Sequence, residues 1–126
     1  MLFYINSVYA YGQYHLADQV ANNPSWRLQD ENGNDATAMG MHMFNHSVHD
    51  MATAFIETCY NSTLNGCDGC FLDRSASFYQ PPGINVPMSD TDARVWRQAH
   101  FEALNELNGR LVAKGHGTPI ALITLK

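Results

Sequence analysis

Asp73 is the residue of this sequence best placed to do chemistry. It closes the run Asp68-Gly69-Cys70-Phe71-Leu72-Asp73, an apolar stretch that ends in a carboxyl group beside Arg74. A carboxylate at the C-terminal end of a buried strand can act as general acid, general base or nucleophile, according to how its neighbours set its protonation. The alternative is a loop cap, or an ion pair with Arg74. Asp68, at the other end of the run, belongs to a turn with Gly69 and takes no site role.

Other polar groups are positioned to share a mouth with Asp73. Asn6, Ser7 and Tyr9 follow a first apolar run, Asn45 follows a second, and Thr124 stands near the end of a last one. Amides and hydroxyls in such a ring suit a sugar or similar polyol; the competing role is helix capping, for Asn45 above all. Among the aromatics Tyr4, Tyr9, Tyr11, Tyr14, Trp26, Phe78 and Tyr79, most anchor loops, and Trp26 and Tyr79 are the candidate platforms for the apolar faces of sugar rings. The candidate substrate-binding set is therefore Asn6, Tyr9, Trp26, Asn45, Arg74 and Tyr79.

Three histidines, His42, His46 and His49, fall within eight residues. They are the metal candidates, but their spacing lacks the carboxylate logic of H-E-x-x-H. The alternative is a set of exposed histidines around a helix start. No cofactor is expected.

The cysteines are Cys59, Cys67 and Cys70, an odd count that leaves a free thiol or an intermolecular bridge. Cys67 and Cys70 form a C-x-x-C without a helix N-terminus to activate it and without a second pair to complete a zinc ribbon. Packing cysteines, or a Cys59–Cys67 bridge, fit better. The acidic cluster Asp30-Glu31-Asn32-Gly33-Asn34-Asp35 lacks the alternating ligands and distal Glu of a calcium loop and reads as a polar turn closing a hairpin from Trp26–Gln29.

The elements that must position these groups follow from apolar patterning. Leu2-Phe3-Tyr4-Ile5, Met41–Asn45, Asp68–Asp73 and Ile120–Leu125 are short continuous runs, the pattern of strands covered on both faces. A short helix is expected around Tyr14–Asn22, stopped by Asn23-Pro24. Val48, Met51, Ala52, Phe55, Ile56 and Cys59 recur on one helical face, with Asn45 or Ser47 as cap. Ser89 starts a last helix with Asp90 and Asp92 in its first turn; it presents Val95, Trp96, Ala99, Leu104, Leu107 and Leu111 and stops near Lys114-Gly115. The order β-α-β-α-β-α-β predicts a parallel α/β fold, resembling half of a TIM barrel or, alternatively, an open doubly wound sheet. The clustering of functional-looking residues at strand C-terminal ends favours the barrel, and the absence of a glycine-rich phosphate loop after the first strand lowers the nucleotide-binding alternative.

Composition narrows the partners. The 126 residues suit one domain, 1–126, with 45% hydrophobic and 15% charged residues and a net charge of −5. Without basic clusters, neither nucleic acid nor an anionic membrane is expected as partner. No signal peptide is read at the N-terminus; the sequons at Asn45 and Asn61, with the cysteines, hint at a secreted origin, and the compartment is left open.

The stretches NSVYAYGQYHLADQVANNPSWRLQDENGN, MFNHSVHDMATAFIETC and GCDGCFLDRSA resemble the central part of glycoside-hydrolase-like (β/α)8 barrel proteins, over roughly residues 2–124. The carrying motif is D-G-x-F-x-D. The resemblance implies polysaccharide-directed hydrolysis, places the strands at the second to fifth barrel positions, and matches Asp73 to the acid ending the fourth. Two departures stand out. A whole barrel takes about 200–250 residues, and glycoside hydrolysis normally uses two acids, of which only one is evident. Asp30, Glu31 and Asp35 could contribute, or the partner acid lies on strands outside this sequence, or two copies assemble. Unclosed strand edges favour a homo-oligomer. Three functions are therefore expected in turn: a carbohydrate-active hydrolase-like domain, a non-catalytic carbohydrate-binding or assembly subunit, and a metal-dependent hydrolase using the histidines.

Overall fold

The computed structural model describes residues 1–11, 15–73 and 86–115, and the backbone of 120–123. Its elements run β1 (Leu2–Asn6), α1 (His15–Asn22), a single 3-10 turn at Pro24–Trp26, β2 (Thr37–Ala38), β3 (Met41–His42), α2 (His49–Leu64), β4 (Gly69–Asp73), α3 (Asp90–Ala113) and β5 (Ile120–Ile123). Of the sequence-expected site residues, Arg74 and Tyr79 lie outside the described residues, as do Thr124, Tyr14 and Phe78.

The expected parallel α/β layout is present. β1, β4 and β5 form a three-stranded sheet in that order, with both pairings parallel. Leu2 pairs with Gly69 and Asn6 with Asp73, so the two strands end level with each other. Ile5, Cys70 and Leu72 form one buried cluster with Leu16 and Val20 of α1, Met51, Phe55 and Ile56 of α2, and Ala103, Leu107 and Leu111 of α3. All three helices therefore coat the same face of the sheet. Sequential strand order with helices on one side is the arrangement of a barrel section; a doubly wound sheet distributes its helices over both faces.

One expected strand sits elsewhere. The segment Met41–Asn45 does not join the parallel sheet: Met41–His42 pairs antiparallel with Thr37–Ala38. The reason is local. Met39 and Gly40 both have left-handed φ values, 52° and 79°, which makes a tight reversal and returns the chain onto its predecessor. A two-residue link cannot cross over to a parallel neighbour. The turn expected at Asn32-Gly33 is present, with Gln29 bridging Asp35 and the Asp30 amide bonded to the Asn34 carbonyl at 2.8 Å. Beneath this excursion lies a second cluster, including Val8, Leu28, Met43 and Trp96.

The helix ends agree with expectation at α3 and depart from it at α2. Ser89 caps α3, its hydroxyl accepting the Asp92 amide at 3.1 Å. For α2 the cap residue is Val48, without a side-chain bond. Asn45 instead folds the preceding turn, its Oδ1 accepting from the amide and hydroxyl of Ser47. The buried stripe of α3 is Ala93, Trp96, His100, Ala103, Leu107 and Leu111, whereas Val95 is exposed.

The cysteine pairing also corrects the sequence reading. Cys59 bridges Cys70, and Cys67 is free. Cys59 lies on the buried stripe of α2 and Cys70 on the helix-facing side of β4, with Cα atoms 6.0 Å apart; Cys67 sits in the turn before the strand. The bond staples helix to sheet at the centre of the core. Replacing both Cys59 and Cys70 with Ala is expected to lower unfolding free energy by roughly 2–4 kcal/mol, whereas Cys67→Ser leaves it within about 0.5 kcal/mol. Urea unfolding of the three forms checks this, and equal midpoints would contradict the staple.

Candidate functional site

The C-terminal ends of β1 and β4 bring Asp73, Asn6 and Ser7 together. Alternation along β1 puts Tyr4 and Asn6 on the face opposite the helices, and their register partners Phe71 and Asp73 share it. The Tyr4 hydroxyl donates to Asp73 Oδ2 at 2.6 Å, while Asp73 Oδ1 is buried and has no partner among the described residues. The rings of Tyr4 and Phe71 stack with centroids 5.7 Å apart, and Tyr11 meets Tyr4 edge-on. One carboxylate oxygen is held by Tyr4, and the other is buried beside an aromatic surface.

Ser7 clamps the main chain of Asp73. Its amide donates to the Asp73 carbonyl at 3.0 Å and its hydroxyl to the same oxygen at 3.2 Å. Two buried histidines hold Ser7 in turn. His46 Nε2 lies 2.7 Å from the Ser7 carbonyl, and His100 Nε2 lies 3.0 Å from the Ser7 hydroxyl oxygen. A carbonyl only accepts, so His46 carries its proton on Nε2; between Ser7 and His100 the direction of the bond follows the His100 tautomer. The two imidazoles stack at 4.9 Å. Burial pushes the His46 pKa down to about 4, against the opposing effect of its bond to Ser7. Burial, then the neighbouring His46, holds His100 well below the ordinary histidine range. Both rings are neutral at pH 7.

The remaining sequence-expected residues occupy separate places. Tyr9 is buried in the second cluster, bridged to Met43. Trp26 packs on the main cluster, and its carbonyl accepts the Asn45 amide at 2.9 Å. Asn45 lines a cavity of about 370 Å³ with Arg27, Asp92 and Trp96. A larger cavity of about 670 Å³ lies between α2 and α3, bordered by His46, His49, Arg94 and Glu106. Asp73 is among the lining residues of neither.

The metal candidates do not converge. His42 lies in the hairpin 3.8 Å from Asp35, His46 is buried, and His49 is exposed at the start of α2. Among the described residues no group of three histidine, cysteine or acidic side chains could hold a metal ion. The loop acids are engaged locally. Asp35 pairs with Arg27 at 2.9 Å, and Asp30 Oδ1 accepts the amides of Asn32 and Asn34.

The sequence reading missed the contact of Tyr4 with Asp73 and the role of His100. Tyr4 could have been found from its i, i+2 relation to Asn6 on β1. His100 could have been found from the seven-residue gap between Trp96 and Ala103, which a 3.6-residue period fills at position 100.

No family model matches the chain, and no curated protein matches it. Among solved structures, the chain is similar to a GH36 alpha-galactosidase, AgaA from Geobacillus stearothermophilus. A substituted form in complex with raffinose aligns at 11% identity with a TM-score of 0.53, over 93% of this chain and 16% of that one. A second substituted form, in complex with stachyose, aligns at 11% identity with a TM-score of 0.52 over the same shares. The chain thus spans about a sixth of the length of these proteins, and at this identity the likeness is one of fold.

The histidine pair fixes a pH response. Unfolded histidine takes up a proton near pH 6.5, whereas His46 in the fold does so only near 4. Between these values the unfolded chain binds more protons, so the stabilisation is fully present above about pH 6.5 and is lost as pH falls. His46 alone contributes on the order of 3 kcal/mol to that loss. Urea midpoints measured from about pH 7 to about pH 4.5 should fall steadily; a flat profile would contradict a buried neutral pair.

Proposed function

We propose that this chain is a carbohydrate-active, glycoside-hydrolase-like domain in which Asp73 acts on the glycosidic bond as acid/base or nucleophile. One observation carries the reading: a carboxylate at the C-terminal edge of a parallel strand has one oxygen oriented by Tyr4 and the other unpartnered among the described residues. In barrel folds that edge is where reacting groups gather. The fold likeness to an alpha-galactosidase crystallised with raffinose and stachyose supports a saccharide as substrate. Asn6 beside Asp73 is the first substrate-binding residue in this reading. Tyr9, Trp26 and Asn45 take outer positions, and Arg74 and Tyr79 follow Asp73 in sequence.

Hydrolysis needs a second acid. In this proposal it comes from a second copy of the chain or from further strands of a longer barrel. β1 and β5 each have one neighbour in the sheet among the described residues, and open edges of this kind favour pairing. A homo-oligomer is the expected assembly. Light scattering on the purified protein should report a mass of two or more chains, and a monomer at all concentrations would remove the second copy as source of the acid.

A second reading has an observation of its own. The loop acids Asp30 and Asp35 are occupied by turn and ion-pair contacts, which favours a subunit that binds saccharide without cleaving it. Raffinose separates the two. Under the hydrolase reading, Asp73→Asn abolishes its cleavage, by at least about 1000-fold in kcat, while the melting temperature stays close to that of the parent. Equal turnover by parent and variant would end the catalytic role of Asp73; binding with no turnover by either would leave the binding subunit.

A further inference from the structure

The smaller of the two cavities, about 370 Å³, falls at the lower end of the range of small-ligand pockets, about 300–1,000 Å³. Its polar rim is built from elements that are tied to one another. Ser25 stands on the 3-10 turn, Asn45 just ahead of α2, and Asp92 in the first turn of α3, and Arg27 lines the cavity with them. The Asn45 amide donates to the Trp26 carbonyl at 2.9 Å, and the Trp96 indole of α3 donates to the Phe44 carbonyl at 3.0 Å. Asn45 Oδ1 takes the amide and hydroxyl protons of Ser47. An amide N–H only donates, so the carboxamide cannot be turned round, and Nδ2 is a fixed donor. Asp92 is exposed, and its carboxylate has no bond among the described residues. The Arg27 guanidinium, by contrast, is matched by Asp35 at 2.9 Å and donates to the carbonyls of Val20 and Ala21. Asp92 is therefore the uncompensated charge of the lining, and Met88 and Val95 add apolar wall.

We propose that this cavity holds one ring of a neutral saccharide, one hydroxyl accepting from Asn45 Nδ2 and another donating to Asp92, with Met88 and Val95 against the carbon skeleton. A fixed donor and an open acceptor on different elements of one cavity call for a ligand that carries both, as neighbouring hydroxyls do. An anionic ligand would meet the unmatched Asp92 as a like charge, and a bare ammonium offers Asn45 no acceptor. The lining contains a single carboxylate, whereas cleavage of a glycosidic bond normally uses two, so the site binds and does not cut. Asp73 is not among its lining residues. The inference rests on the carbohydrate reading above and adds to it a second, non-catalytic place for saccharide, with Asn45 and Asp92 as its polar contacts.

The test titrates the intact chain with methyl α-galactopyranoside, methyl α-glucopyranoside and methyl α-mannopyranoside, then with the uronate counterpart of whichever binds best. The readouts are affinity and the side-chain amide signal of Asn45 by NMR. At least one neutral glycoside is expected to bind and move that signal, and its uronate should bind at least about tenfold more weakly. Asp92→Asn removes the charged acceptor, and Asn45→Asp keeps the oxygen that Ser47 bonds but removes the donor; each should weaken binding about tenfold. Asp73→Asn should bind as the parent does. No binding of any of the three glycosides overturns the proposal. So does a uronate that binds as well as its neutral counterpart. So does affinity that falls in Asp73→Asn and survives in the other two variants, which would put the sugar at the strand edge. If Asn45→Asp unfolds, Asp92→Asn and the Asn45 signal of the parent decide. Binding as expected here, with no cleavage of raffinose by the parent, overturns the hydrolase reading and leaves this site standing. Raffinose cleavage that Asp73→Asn abolishes, with an Asn45 signal that no glycoside moves, does the reverse.

Discussion

The parallel pairing of β1 with β4 is the constraint on which the rest of the molecule depends. Five successive partners, from Leu2 with Gly69 to Asn6 with Asp73, fix which side chains meet. A slip of one residue would turn Tyr4 and Asn6 into the helical layer and bring Ile5 out of it. The register is over-determined. On one face Ile5 and Leu72 are sealed beneath the helices, and the Cys59–Cys70 bond ties β4 to α2. On the other face the Tyr4–Asp73 hydrogen bond forms only when the strands are level.

Just beyond the ladder, the chain spends buried polar groups on a single serine. Ser7 is fully buried, yet its amide, hydroxyl and carbonyl are all engaged, through Asp73, His100 and His46. His46 comes from the turn before α2 and His100 from the middle of α3, so the contact joins three parts of the chain at the strand end. Satisfied networks of this kind specify one arrangement of the core, since any other leaves several groups desolvated and unpaired. The indole of Trp96 adds a similar tie, donating to the Phe44 carbonyl at 3.0 Å. The carboxylate of Asp73 thus projects from a main chain that is held from below.

Much of this was legible in the residues, and the failures have physical causes. Continuous apolar runs marked β1, β4 and β5, and the stripe from Met51 to Cys59 marked α2, because burial on a sheet or helix leaves a period that composition cannot hide. The Ser89 cap was readable because its chemistry is local. Met41–Asn45 misled because a short apolar run looks the same in a hairpin as in a parallel strand; only the reversal at Met39-Gly40 separates them, and a methionine with positive φ gives no warning. Cys70 and Cys67 were indistinguishable by spacing, since the deciding fact is which of them faces α2. Asp73 and Asn6 were readable as strand-end polar groups. The Tyr4 hydroxyl and the two stacked imidazoles were not, because both are products of register between segments far apart in sequence.

Among the described residues the three helices cover one side of the sheet, and parallel sheets ordinarily have both sides covered. Leu2 and Tyr4 are accordingly exposed on β1, beside a half-buried Phe71. The exposed parts of Leu2 and Tyr4 are surface for which water has little affinity. Whatever comes to rest there, a ring with one greasy face or another stretch of polypeptide, would release that hydration layer, and its arrival should be felt calorimetrically as a drop in heat capacity.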